Sequence, residues 1–184
     1  MGDITSWIAQ ARGGDRVALD QIFQALYPEL RRIAHGRLVR HLRDPLLDTT
    51  ALVHECYLKF SAAQRLGIEY RVHFLAYAAT AMRSIIVDCA RSALAERRGG
   101  DAVHVTLDTL AAGAVRQEED EILDVDAALV SLGKLDARLV QVVEMRYFGG
   151  MSDAEIGAAL GLTDRTVRRD WEKARLLLAH ALRG

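Results

Sequence analysis

The chain has 184 residues, 51% of them hydrophobic, only 2 prolines and a net charge of −1, which suits one ordinary domain or two small ones with buried cores. Aromatic residues are few and no stretch alternates apolar and polar residues for long, which excludes a strand-rich fold, so we expect an all-α protein. The absence of a basic segment followed by an apolar run, and of an apolar segment near 18 residues, argues against secretion and membrane spanning.

The charge is unevenly distributed along the chain. Residues 1–98 hold 14 Lys and Arg against 10 Asp and Glu, residues 99–131 hold 1 against 8, and residues 132–184 hold 9 against 7. The three sums are +4, −7 and +2. Two mildly basic blocks on either side of an acidic connector indicate two modules that contact nucleic acid rather than a uniformly acidic soluble enzyme.

The first part of the chain is predicted to be helical. Residues 3–13 form a short helix ended by Gly13-Gly14, Asp15 caps a second helix that runs to Tyr27-Pro28, and a third helix starts at about Glu29. Residues 41–48 are a connection that contains a proline. We interpret the three helices as packing elements.

An amphipathic helix, TALVHECYLKF, then begins at Thr49 or Thr50. His54, Glu55 and Lys59 lie outside the apolar face of this helix. Taken alone, exposed polar residues of this kind are most often solvated surface. His54 and Cys56 point about 200° away from each other on a helix, which excludes a shared metal ion. Without a CxxC motif, both cysteines of the chain are predicted to be reduced core thiols of a cytosolic protein.

The longest periodic segment covers residues 72–96. Apolar residues recur from Phe74 to Cys89 with spacings of four, four, three and four, and the opposite face carries Arg83, Asp88 and Arg91. The segment ends in two arginines, at 97 and 98. These either complement the helix dipole or grip a phosphate backbone, and the residues alone favour neither interpretation.

Residues 99–121 are predicted to be a linker, flexible at least in its first half, because they contain glycines and no sustained period. The acidic run at 118–121 is expected in the first turn of the next helix, where the positive end of the helix dipole favours it. A buried stripe from Ile122 to Leu132 follows. A further helix, capped by Asp136 and ended by Gly149-Gly150, leads into the last segment.

Residues 151–176 have the pattern of a helix-turn-helix. Ser152 and Glu155 form a capping box that begins one helix, and Gly161 suits the left-handed position that ends it. Thr163 can cap a second helix two residues later. With the two helices predicted before them, these elements make residues 122–184 a four-helix module.

The second helix of this motif has an apolar and a charged face. Its apolar stripe runs from Val167 through Trp171 and Ala174 to Leu178. The opposite arc can enter a major groove, and it consists of Arg165, Arg168, Arg169, Glu172 and Lys173. A charged face alone is more often solvated surface, but the turn, the two caps and the basic helix together favour DNA binding.

Three segments, in this order, resemble the extracytoplasmic-function (ECF) class of bacterial RNA polymerase sigma factors, part of the sigma-70 family. TTALVHECYLKF is similar to the family's polymerase-binding helix, FLAYAATAMRSIIVDCARSALAERRGG to its promoter-melting and −10-reading segment, and VVEMRYFGGMSDAEIGAALGLTDRTVRRDWEKAR to its −35-reading module. The resemblance covers nearly the whole chain. It implies two helical domains, sigma domain 2 in residues 1–98 and sigma domain 4 in residues 122–184, joined by the linker 99–121.

The resemblance also implies residue roles. It places polymerase contacts at Asp48, His54, Glu55 and Lys59. It places contacts to the −10 element and the melted strand at Arg71, His73, Tyr77, Arg83, Asp88, Arg91, Ser92, Arg97 and Arg98. Many relatives have a Trp where this chain has His73-Phe74, so base capture would use Phe74 or Tyr77, or neither if Phe74 is core. The implied −35 contacts are Thr163, Arg165, Arg168, Arg169, Glu172 and Lys173.

The implied function is that of a cytoplasmic initiation factor that directs core RNA polymerase to −10 and −35 promoter elements and lies on the nucleoid within the holoenzyme. Its expected partners are promoter DNA and core polymerase, through the clamp helices of the largest subunit and the flap of the second-largest. Relatives are often held by an anti-sigma factor. No cofactor, metal ion or membrane is expected.

Two other functions fit parts of the chain. A one-component regulator, with a sensor in residues 1–98 and a helix-turn-helix for an operator, would be a dimer that binds duplex DNA tightly without polymerase. An α-helical hydrolase or metal enzyme would need clustered ligands, but the six histidines are scattered and no HExxH motif is present. We therefore expect no enzymatic activity.

Overall fold

Eight α-helices and one π-helical turn make up the described part of the chain, which contains no strand, so the predicted all-α class is confirmed. The computed structural model describes residues 3–41, 48–63, 67–99 and 109–183, with side chains in 3–36, 48–63, 67–96 and 119–183. The helices are α1 Ile4–Arg12, α2 Arg16–His41, α3 Thr49–Ala62, α4 Arg71–Gly99, α5 Thr109–Leu135, α6 Ala137–Val143, α7 Asp153–Leu160 and α8 Asp164–Ala181. The π-helical turn, Glu144–Phe148, continues α6.

A single helix, α2, stands where two were predicted around Tyr27-Pro28. Pro28 lies inside α2 and lacks the N–H that would bond to the carbonyl of Gln24. Gln24 and Pro28 are both exposed, so water can satisfy that carbonyl, while Leu30 extends the buried stripe past the proline. The predicted break at Pro28 was wrong, because burial of Leu30 beyond the proline stabilises the helix more than the single lost hydrogen bond destabilises it.

Aromatic rings close the core formed by α2, α3 and α4. Phe23, Phe60 and Phe74 belong to one helix each, and their ring centroids lie 4.5 to 5.2 Å apart. Phe23 meets the other two rings edge-on, the favourable arrangement for aromatic pairs. All three rings are buried, so Phe74 is a core residue and is not available to capture a base.

The long helix α4 forms the centre of the fold. It packs on α3 on one side and on α5, the π-helical turn and α7 on the other. By length and composition alone Arg71–Glu96 could cross a membrane, which the sequence did not lead us to expect, and half of its most apolar window is buried. Burial on two sides explains this apolar composition, because both neighbours require a hydrophobic face.

Helix α5 begins at Thr109, so residues 109–121 of the predicted linker are helical. The acidic run at 118–121 lies well inside this helix rather than in a first turn, and Glu119 is fully buried. The remainder of the predicted linker, residues 100–108, lies outside the described residues.

The π-helical turn faces two ways. On one side Glu144 reaches α4, where its carboxylate accepts a hydrogen bond from the Thr80 hydroxyl at 2.9 Å. On the other side Arg146 pairs with Asp153 of α7 and lies 5.0 Å from the ring centre of Trp171 in α8. This short segment thus contacts both the central helix and the helix-turn-helix.

The buried residues of the two predicted modules form one contiguous cluster that extends from Ile8 to Ala174. Gly149, which follows the π-helical turn, lies close against α4. A Cβ at this position would lie 3.1 Å from the Cβ of Ala79 in α4 and 2.6 Å from the Met145 carbonyl. The second module is therefore packed directly on the central helix of the first. The division into sigma domains 2 and 4 stays a prediction.

Candidate nucleic-acid interface

Local capping interactions build the helix-turn-helix. The Ser152 hydroxyl accepts the Glu155 N–H at 3.3 Å, and the Glu155 carboxylate accepts the Ser152 N–H at 2.9 Å, which completes the predicted capping box. Gly161 has φ +67°, the left-handed conformation expected of it, and Thr163 accepts the Thr166 N–H at 3.3 Å as the second N-cap. These three predicted signals are confirmed, and they fix where α8 starts.

The tight turn depends on a close approach at Gly157. Its carbonyl accepts the Leu162 N–H at 2.9 Å. A Cβ on Gly157 would lie only 2.6 Å from the Leu162 carbonyl oxygen. The end of α7 can therefore approach the turn this closely only because position 157 has no side chain.

Helix α8 has the two faces that its sequence predicts. Val167 and Ala174 are fully buried, and Trp171 and Leu178 pack against the same core. The predicted −35 residues all lie on the outer side of the helix or at its N-terminus and are exposed: Thr163, Arg165, Arg168, Arg169, Glu172 and Lys173. We refer to these six residues as the outer arc of α8.

Ion pairs along the outer arc leave its cations accessible. Arg168 Nε lies 3.2 Å from an Asp153 carboxylate oxygen and Lys173 Nζ lies 3.9 Å from Asp136, with 65% and 60% of these basic side chains exposed. Arg169, 72% exposed, lies 3.6 Å from Asp170. Because the three basic side chains are well exposed, a phosphate or a guanine edge can compete for them, although the Asp170 carboxylate is itself buried.

The predicted polymerase contacts lie on α3. His54 and Glu55 are exposed on its outer side, opposite the buried Cys56. Asp48 has a structural role, because its carboxylate accepts the Ala51 N–H at 2.8 Å as the N-cap of the helix. Lys59 is half-buried and its ammonium group donates to the Ser84 hydroxyl of α4 at 3.0 Å. Only part of this predicted set is therefore freely exposed.

Arg71, at the start of α4, bridges α2 and α7. Its guanidinium pairs with Glu29 and lies 3.4 Å from Glu155. Burial lowers the pKa of Arg71, but the hydrogen bonds and charges of the two glutamates outweigh burial and raise it overall. The pKa of Glu155 is lowered, chiefly by the Ser152 N–H and also by the Ser152 hydroxyl and Arg71, while burial opposes the shift.

Three aromatic side chains surround the N-terminal end of α4. His73 Nδ1 accepts the Glu69 N–H at 3.2 Å, which caps the loop before the helix. Tyr77 is 37% exposed and its ring meets Phe60 edge-on at 4.5 Å. Tyr70, 5.5 Å from His73 and more exposed than Tyr77, is absent from the predicted set. Tyr70 lies directly before the start of α4, and this position is the sequence signal by which it could have been included in the predicted set.

Further along α4, Arg83 does not face solvent. It lies 2.6 Å from Asp126 of α5 and 2.6 Å from Glu144 of the π-helical turn, with 13%, 12% and 11% of the three side chains exposed. Arg91, about two turns further along the same face of α4, pairs with the other oxygen of Asp126 at 2.9 Å. The expectation of an open −10 face is therefore wrong for Arg83 in this conformation, because two carboxylates of the second module cover it.

The remaining predicted residues of this face are accessible or not described. Asp88 is exposed and lies 3.8 Å from both Lys59 and Arg91, and Ser92 is exposed. Arg97 and Arg98 belong to the last turn of α4, and their side chains lie outside the described residues. The structure thus brings the α4 residues onto one helix but does not present them as one open surface.

Among the described residues, no three His, Cys, Asp or Glu side chains are grouped closely enough to hold a metal ion. Burial raises the pKa of the Cys56 thiol to about 12, and the charge of Lys59 offsets this only in part. The thiol is therefore neutral at physiological pH and is not a nucleophile. Its place in the core matches the structural role predicted for it.

A family model described as "ECF sigma factor" matches residues 1–184, the whole chain. No curated protein and no solved structure gave a significant match.

Proposed function

The chain belongs to the ECF sigma factor family, and we propose that it brings core RNA polymerase to promoters by reading a −35 element with α8 and a −10 element with α4. Members of this family are soluble, cytoplasmic transcription initiation factors rather than enzymes, and they bind core RNA polymerase and promoter DNA. The family match therefore favours an initiation factor over both a one-component regulator and an enzyme.

The observation that carries the proposal is the outer arc of α8. Four of its six side chains are cationic and exposed, the opposite face is buried, and two caps and a tight turn fix the helix start. A recognition helix inserts its N-terminal residues into the major groove, and Arg165, Arg168 and Arg169 occupy the first two turns. The buried stripe leaves only this face of α8 available to a duplex.

The proposed polymerase contact is on α3. His54 and Glu55 form an exposed polar pair on a helix whose other face is locked in the aromatic core. A charged surface on a rigid helix can dock on a complementary basic surface with little loss of conformational entropy. We assign this contact to the clamp helices of the largest polymerase subunit and the contact of the second module to the flap of the second-largest.

Run-off transcription with core polymerase on a promoter library tests the −35 assignment. Arg168→Ala with Arg169→Ala should lower promoter-specific transcripts about 30-fold or more, since each good base contact contributes about 1–3 kcal/mol. Arg175→Ala with Arg183→Ala is the matched control, because both are exposed arginines beyond the first two turns of α8. Equal losses in the two double variants, or unchanged transcription from a −35-dependent promoter, would contradict the assignment.

Co-purification with core polymerase tests the α3 assignment. Glu55→Arg reverses an exposed charge and should weaken polymerase binding while leaving the thermal unfolding midpoint nearly unchanged, because exposed substitutions alter stability by about 0.5 kcal/mol or less. Glu69→Arg, at an exposed carboxylate outside α3, provides the control. Undiminished co-purification of the Glu55 variant would remove this residue from the interface.

A further inference from the structure

Asp153, the first residue of α7, contacts two arginines at once. Its Oδ1 accepts a hydrogen bond from Arg146 of the π-helical turn, and its Oδ2 lies 3.2 Å from Nε of Arg168 in α8. The Asp153 side chain is only 20% exposed, whereas 65% of the Arg168 side chain is exposed. A largely enclosed carboxylate therefore lies directly behind an arginine that faces outwards.

Arg146 fixes the direction of this carboxylate. Its guanidinium lies 5.0 Å from the ring centre of Trp171, which packs against the core on the inner side of α8. A guanidinium over an indole face is held by electrostatic attraction as well as by packing. Arg146 is thus fixed from the core side, and it in turn holds one oxygen of Asp153 while the other oxygen is directed at Arg168.

An acid in this position weakens simple phosphate binding. DNA is a polyanion, so a carboxylate beside a DNA-facing arginine reduces the attraction of that arginine for phosphate. The same carboxylate is an advantage where the arginine must be aimed. A free arginine side chain has many rotamers, and reading guanine requires one in which two N–H groups point at O6 and N7. Arg168 meets Asp153 through Nε, which leaves the Nη1 and Nη2 groups for a base.

We propose that Asp153 is a positioning residue that aims Arg168 at a guanine of the −35 element, and so helps to determine which promoters this chain reads. This inference deepens the proposed function and rests on it, because it takes α8 as the −35 helix. Arg168 is the fifth residue of α8, within the N-terminal part of a recognition helix that contacts base edges.

The acids beside two other cations of the outer arc hold them less closely. Arg169 Nη2 lies 3.6 Å from Asp170, and Lys173 Nζ lies 3.9 Å from an acid of the preceding loop, both beyond hydrogen-bond range. The Asp170 carboxylate is closer to Arg138 of α6, at 2.8 Å. Of these three ion pairs on the outer arc, the one of Arg168 is therefore the shortest. We assign base reading to Arg168 on this ground.

A promoter library in which the −35 region is fully randomised tests the proposal. Transcription with core polymerase and the full chain, followed by sequencing of the transcribed promoters, gives the base preference at each position separately from total output. Asp153→Asn keeps the shape of the side chain, but its amide has one acceptor oxygen and so cannot serve both arginines. Asp164→Asn is the matched control, because Asp164 is an exposed acid at the first position of α8 and the net charge changes equally.

We expect the wild type to prefer guanine at one position by about 10-fold or more, and Arg168→Ala to lose this preference. Asp153→Asn should lower the same preference about threefold to tenfold. Total output should fall less than the preference does, because removal of an acid strengthens contacts to phosphate. Asp164→Asn should change the preference less than twofold. In an Arg168→Ala background, Asp153→Asn should alter the base profile no further, because the acid acts through Arg168.

An unchanged guanine preference in Asp153→Asn would overturn the positioning role and leave the −35 assignment of α8 intact. A uniform loss of transcription in Arg168→Ala, with the base profile unaltered, would also overturn it, because Arg168 would then contact phosphate. The same holds if Asp153→Asn still alters the profile in the Arg168→Ala background, since the acid would then act through the fold of α7. Unchanged output and profile in Arg168→Ala would refute the proposed −35 contact itself.

Arg146→Met serves as a second variant should Asp153→Asn fail to fold. The long apolar side chain of methionine continues to cover Trp171, while Asp153 loses the arginine that fixes its direction. The guanine preference should fall about twofold with the fold retained, which thermal unfolding followed by circular dichroism verifies. A folded Arg146→Met protein with the full guanine preference would count against the proposal.

Discussion

Replacing Gly157 with alanine tests whether the close approach between α7 and the turn is real. In the interior of an ordinary helix this substitution stabilises the protein by about 1 kcal/mol through helix propensity alone. Here the new Cβ would lie 2.6 Å from the Leu162 carbonyl oxygen, a backbone atom that cannot rotate away. Relief requires the turn to move, which strains the 2.9 Å bond from the Leu162 N–H to the Gly157 carbonyl.

The expected net effect is a loss of stability. Overpacking costs about 1–3 kcal/mol and a weakened buried hydrogen bond about 1 kcal/mol, against the propensity gain of about 1 kcal/mol. We therefore expect Gly157→Ala to lower the free energy of unfolding by about 1–3 kcal/mol. Gly161→Ala should cost about 1 kcal/mol through its φ of +67° alone, because nothing lies within 4 Å of a Cβ there.

Urea denaturation of the full chain, followed by circular dichroism, measures both effects. Ala158→Gly is the control for propensity, since Ala158 is exposed in the same helix and should lose about 1 kcal/mol. The m-value must stay constant for the comparison to hold. A Gly157→Ala protein that is more stable than the wild type, beside a destabilised Ala158→Gly protein, would refute the close approach and with it the placement of α8.

Two further outcomes follow from the contacts of α4. Because the folded pKa of Glu155 is lowered, its stabilisation is present above the unfolded value of about 4.3 and is lost as pH falls through the folded value. The unfolding midpoint should therefore fall more between about pH 5 and pH 3 in the wild type than in Glu155→Gln, and equal slopes would contradict this. Phe74→Ala should lose about 3–5 kcal/mol of stability, whereas Tyr77→Ala should lose about 1 kcal/mol and reduce permanganate reactivity of melted promoter thymines. A Tyr77 variant with unaltered reactivity would exclude that ring from strand capture.

The parts of the interface that the sequence predicts are those made by neighbours in the chain. The capping box joins Ser152 to Glu155, and the second cap joins Thr163 to Thr166, three residues apart in both cases. Such contacts depend on short-range backbone geometry, so residue type and spacing are enough to predict them. The outer arc of α8 follows from the same short-range rule, because helical periodicity separates it from the buried stripe.

The parts that the sequence did not predict depend on distant contacts. Arg83 and Asp126 are 43 positions apart, and Arg71 and Glu155 are 84 apart. No local period connects such pairs, so a face that is exposed on an isolated helix was expected to remain exposed in the fold. The continuous α2 has the same origin, since burial of Leu30 and Ala34 against other helices overrides Pro28.

The π-helical turn Glu144–Phe148 has a consequence for how the central helix α4 and the helix-turn-helix are connected. A π turn holds one residue more than an α turn, so removing a residue would rotate α6 by about 100° relative to Gly149. Glu144 and Arg146 could then no longer reach Arg83 on one side and Asp153 on the other. One additional amino acid thus lets a five-residue segment hold Glu144 against Arg83 of α4 and Arg146 against Asp153 of α7, the aspartate that also pairs with Arg168 of α8.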